Sequence, residues 1–149
     1  MNLATLRLLE HVHGHVGWLA VAALLHPAII LRNPNRRARL SVALSTLFAF
    51  AAGLMGANIY PDYRNRLKQA IFLHAPSLGW WFERKEHLAV GAIGLALAGC
   101  VAHFIAWEFE DASTRKLLAR AAHHAFVAAF ACAAVVAVTG VAVASYSTF

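Results

Sequence analysis

Residues 10–26, EHVHGHVGWLAVAALLH, read as a membrane helix, yet they carry four histidines. A polar group left unpaired in hydrocarbon costs on the order of 2–7 kcal/mol. The stretch therefore poses two questions: what surrounds it, and what its imidazoles hold.

Composition answers the first. The chain has 149 residues, of which 60% are hydrophobic and 13% charged. A soluble domain has about 25% charged and about 45–50% apolar residues. Four segments, at about 8–31, 40–60, 87–107 and 121–146, meet the requirement of about 20 mostly apolar residues per crossing. The expected fold is all-α: one integral membrane domain over 1–149, a four-helix bundle with a short amphipathic interfacial helix between spans two and three. A removable leader competes for the first span. Only Arg7 precedes it as a basic residue, and no small-residue cleavage site leads into a polar domain, which favours a retained span.

An even number of crossings puts both ends of the chain on one side, side A. The two connections on the other side, side B, carry Arg32, Arg36, Arg37, Arg39, Arg115, Lys116 and Arg120. Side A carries Arg7, Arg64, Arg66, Lys68, Arg84 and Lys85. The tight arginine cluster beside spans one and two places loops 32–39 and 108–120 in the cytoplasm, as in a bacterial inner membrane. The net charge of +6 lies in loops between spans. It therefore points to anionic lipid and away from nucleic acid.

The long connection after span two contains Leu67, Ile71 and His74 at spacings of four and three, with Phe72 alongside. That pattern predicts a short amphipathic helix on the membrane surface. Trp80, Trp81 and Phe82 follow as an aromatic patch at headgroup depth, with a lid over a quinone or cofactor site as the sharper alternative. Cys100 and Cys132 form no Cys-x-x-Cys or Cys-x-x-Cys-His pattern, so zinc ribbons and covalently attached haem are excluded and both read as small buried hydrophobes. Phosphate loops, nucleophile elbows and His-Glu-x-x-His helices are absent from the sequence.

The histidines carry the remaining information. The topology sorts all nine into two layers: His11, His13, His15, His74 and His87 near side A, and His26, His103, His123 and His124 near side B. At about 100° per residue, His15 and His26 lie roughly 40° and 60° round from His11, so these three share a face and His13 points away. His15 and His26 are then roughly 16 Å apart along the axis, one in each leaflet. His87 and His103 are about 160° out of phase, so one of them needs another partner, with His123 or His124 a substitute near side B and His74 one near side A.

Four membrane helices with histidines in two layers resemble the b-type cytochromes of cytochrome b561-like architecture. The resemblance implies one or two haem b groups held by paired imidazoles and a low-spin iron that transfers electrons. The pairs it implies are His15 with His87 near side A, and His26 with His124 or His103 near side B, with His11 beside the first. Gly14, Gly17, Gly53 and Gly56 would let helices and a flat ring approach closely. Arg7, Arg64 or Arg66 would hold propionates on side A, and Arg36 or Arg37 on side B. The implied role is a non-catalytic electron-transfer subunit of a respiratory or photosynthetic complex. It would exchange electrons with quinone and contact other membrane subunits and lipid.

Two other classes remain open. Glu10, His11, Glu83, Glu86 and His87 gather carboxylates and imidazoles near side A, a donor set that zinc, copper or iron can use. An accessory subunit whose histidines serve only packing is the third reading. The spans as delimited carry no charged residue in their middle, which argues against a channel or proton-driven transporter.

Overall fold

The structure, a computed structural model, describes residues 3–66 and 68–146. Five helices follow in order: α1 Leu3–Ile30, α2 Arg39–Arg66, α3 Lys68–His74, α4 Pro76–Ala106 and α5 Ala112–Tyr146. All but α3 are long and apolar enough to cross a membrane, so the chain is an integral membrane protein of the expected all-α class. α1 packs on α2 and α5, and α4 packs on α5 and α2, giving a bundle in the order α1, α2, α4, α5.

The helices outrun the apolar segments. α4 begins at Pro76, eleven residues before the expected start at His87, because a proline suits the first helical turn, where its missing N–H goes unused. α5 begins at Ala112, so the connection expected over 108–120 shrinks to a few residues ending at Asp111. Asp111 is the reason: its carboxylate accepts from the backbone N–H of Ser113 (3.3 Å) and Thr114 (2.8 Å), and from the Ser113 (2.7 Å) and Thr114 (2.6 Å) hydroxyls. This is an N-cap, which fixes where a helix starts.

These bonds, the Ser113 hydroxyl foremost, hold the Asp111 carboxyl well below the usual carboxylate range. A depressed folded pKa gives stability that is complete above the ordinary aspartate value, about 3.9, and is lost as pH falls through the folded value. Asp111→Ala is therefore expected to lower the melting temperature at neutral pH, with the deficit vanishing in strong acid. Asp111→Asn, which still caps, should retain most of the stability; equal melting of all three proteins would refute the cap.

α3 is the expected short helix, but it packs against the bundle end. Ile71 is buried with Tyr63, Phe82 and Val143 from α2, α4 and α5. Lys68 reaches Glu83 on α4 at 2.6 Å, and that bond raises the lysine pKa. A raised lysine contributes stability below its ordinary value and loses it only as pH climbs through the folded value, so the clamp stays closed at neutral pH. Of the aromatic patch, Trp80 and Trp81 are exposed, whereas Phe82 turns inward.

Packing divides the bundle along its length. The side B half is solid: Leu24 and Ala28 of α1 meet Val42 of α2, Ala96 of α4, and Ala122 and Phe126 of α5. Polar side chains tie the same region together. Pro27 cannot donate to the Ala23 carbonyl, and Ser45 on α2 donates to it instead at 2.6 Å. Thr46 donates to the Ala96 carbonyl of α4 at 3.3 Å. Such bonds stabilise membrane bundles by about 0.6–2 kcal/mol each.

Candidate functional site: an intramembrane cavity on side A

The side A half is hollow. A cavity of about 1050 Å³ lies between the four long helices, bounded at the side A end by the Tyr63 and Phe82 layer. Ligand pockets commonly measure about 300–1,000 Å³, so the space is ample for a small molecule. It exists because its walls are small: Gly14 and Gly17 of α1, Gly53 and Gly56 of α2 and Gly140 of α5 line it, with several alanines. A Cβ at Gly14 or Gly17 would meet nothing within 4 Å, so there is open space over α1 at these positions. Gly53 is different: a Cβ there would run into Ile93 of α4, so the α2–α4 wall is closed at that level. Trp18 and Val141, on the α1 and α5 rims, are exposed as well as cavity-lining, so the hollow communicates with the bilayer.

Polar groups also line this largely apolar space. His13 packs over Gly56, where a Cβ would lie 3.1 Å from its ring, and hydrogen-bonds the Ala52 carbonyl. Its Nδ1 is buried with no partner in the protein, as is the Tyr63 hydroxyl. Lys85 crosses from α4 towards α5, its Nζ lying 4.4 Å from the Phe82 ring centroid and 3.9 Å from the Cβ position of Gly140. Among the described residues no carboxylate pairs with Lys85. Tyr63 and Phe82 stack with centroids 3.8 Å apart, and Tyr60 continues the stack at 6.3 Å. Glu10, Glu86 and Arg7 also line the cavity.

The histidines expected to form ligand pairs lie elsewhere. His15 and His87 are exposed, and each Nδ1 is bonded to the carbonyl four residues back, at 2.7 Å and 2.8 Å. His26 is exposed and bonded to the Ser41 hydroxyl at 2.6 Å. His103 is buried, and its Nε2 accepts from the Ala38 N–H at 3.3 Å, fastening the loop before α2 to α4. His124 is exposed beside His123, their rings 5.1 Å apart, and His123 hydrogen-bonds the Ala28 carbonyl near the end of α1. His11 borders the cavity on an exposed position, while Arg36 and Arg64 are exposed. None of His15, His26, His87, His103 or His124 lines the cavity.

The carboxylate and imidazole set near side A is likewise dispersed. Glu83 holds Lys68, and His87 is tied to its own helix. Among the described residues no group of three or more His, Cys, Asp or Glu side chains could hold a metal ion.

His13 is the reversal. The helical phase set it apart from His11, His15 and His26, and that trio proved to be the exposed face of α1. A spacing of seven from Leu6 through His13 to Ala20 and Pro27 is the signal that places it inward, since Leu6, Ala20 and Pro27 are all buried. Lys85, expected among the side A loop charges, lies about 13 Å along α4 because that helix already starts at Pro76. No protein-family model matches this chain, and no curated protein or solved structure does either.

Proposed function

We propose that this chain is a small integral membrane component of an electron-transfer assembly, and that its cavity holds an isoprenoid quinone. In this reading it works as a binding and relay subunit beside other membrane proteins, with no reaction of its own. It sits in a bacterial inner membrane with the arginine-rich connections cytoplasmic, as the positive-inside rule favours.

The observation that carries the reading is the cavity itself, largely apolar along its walls, open to the bilayer and with His13, Tyr63 and Lys85 among its polar lining. A quinone head presents carbonyl oxygens when oxidised and hydroxyls when reduced. Lys85 and Tyr63 supply donors for the first. His13 has one ring nitrogen engaged by the Ala52 carbonyl and offers Nδ1 as an acceptor for the second. The Tyr63–Phe82 stack supplies a flat aromatic surface. An isoprenoid tail can leave past Trp18 into lipid.

Trp18 provides the test. Titration of the detergent-solubilised protein with decylubiquinone is expected to quench its fluorescence saturably, and the saturable component should be absent from Trp18→Phe. Quenching that rises without saturation, equal in both proteins, would mean mere partitioning into detergent and would overturn the reading.

A second reading rests on His13 Nδ1, an unpartnered imidazole nitrogen at a cavity of about 1050 Å³. It would hold a b-type haem through one protein ligand. A reduced-minus-oxidised spectrum with a sharp b-type band, lost in His13→Met, would establish it in place of the quinone.

A further inference from the structure

The side B end presents a charge arrangement that the cavity does not explain. Trp107, just past the end of α4, is approached by two arginines from two different segments. Arg37, in the α1–α2 loop, places its guanidinium carbon 4.4 Å from the indole centroid, and Arg115, in the first turn of α5, lies at 5.8 Å. Arg39 lies over Phe104 at 5.7 Å.

Three acids lie in the same turn: Asp111 is taken up by Ser113 and Thr114, Glu108 lies 3.7 Å from Arg39, and Glu110 is exposed and forms no ion pair with either Arg37 or Arg115. Among the described residues, Arg37 and Arg115 have no carboxylate partner. Two guanidiniums on one indole repel each other unless an anion is shared between them. A phosphate diester meets that need, because each guanidinium offers a planar fork of donors that matches phosphate oxygens. Trp107 marks the depth, since indoles settle at the level of the headgroups. The connection from α1 to α2 and the start of α5 are thus held around one point at the membrane surface.

We propose that Arg37, Arg115 and Trp107 form a headgroup site for an anionic phospholipid. The lipid would join the α1–α2 loop to the α4–α5 turn from outside, at the end of the bundle where the core is solid.

The test is native mass spectrometry of the full chain released from vesicles of phosphatidylcholine and phosphatidylglycerol in equal amounts. Wild type is expected to retain phosphatidylglycerol over phosphatidylcholine, and R37Q/R115Q to lose that preference by roughly tenfold or more. R64Q/R84Q, with the same charge change at the opposite end, should keep it. Equal loss in both double variants would reduce the effect to net charge and overturn the site. R37K/R115K, which keeps charge but not the fork, should retain phosphatidylglycerol less well than wild type; wild-type retention would also overturn it. Displacement of the lipid by millimolar glycerol phosphate would show a site for free phosphate rather than for a bilayer lipid, and would overturn the assignment to lipid.

Discussion

Gly14→Leu combined with Gly17→Leu is expected to weaken quinone binding by about a hundredfold while leaving the bundle folded, because the added side chains enter open space. A Cβ at either position meets no heavy atom within 4 Å, and the two glycines lie three residues apart, on one face of α1. Gly99→Leu makes the opposite case. Its Cβ would lie 3.0 Å from the Phe126 ring and 3.2 Å from the Ala125 Cβ, in the solid half where α4 meets α5. Overpacking of this kind costs typically about 1–3 kcal/mol, so Gly99→Leu should melt earlier. Fluorescence titration and thermal unfolding measure both effects. A Gly14→Leu/Gly17→Leu protein that binds decylubiquinone as wild type does would show that the ligand does not occupy this cavity.

The contrast between those glycines marks how far the sequence could be read. Four crossings follow from apolar length alone, and the structure has four helices of that kind. Gly14, Gly17, Gly53 and Gly56 stood out as positions of close approach, and all four line the cavity. Whether a glycine admits a neighbouring helix or leaves a void depends on the residue opposite, which spacing does not reveal. Gly53 meets Ile93, whereas Gly17 meets nothing.

The histidines were harder for a related reason. Helical phase relates residues on one helix to one another, but it does not say which face is inside. In the side B half, Ser41, the Ala38 N–H and the Ala28 carbonyl engage His26, His103 and His123. These are backbone groups at or near helix ends, or a neighbouring hydroxyl, and satisfying them is a sufficient role for an imidazole in a membrane. His15, His74 and His87 each bond the carbonyl one turn back, which settles part of their polarity without any ligand. His13, His103 and His123 each keep a buried Nδ1 without a partner, and His13 is the one of the three that lines the cavity.

Lys85→Met is expected to move function and stability in opposite directions. The methionine keeps most of the stem that crosses towards Gly140 and removes the ammonium, together with its contact to the Phe82 ring. A hydrogen bond to a charged group contributes about 1.5–3 kcal/mol, so decylubiquinone should bind roughly ten- to hundredfold more weakly. The ligand-free protein should instead melt at a higher temperature. A cation inside a membrane bundle is costly, and this one is in no close ion pair among the described residues, Glu86 acting on it only at longer range. A merely structural lysine would give the reverse: a lower melting temperature and unchanged affinity. Gain of stability with loss of binding is what a site that keeps an unmatched charge for its ligand must show, since the same group that opposes folding supplies the bond to the quinone head.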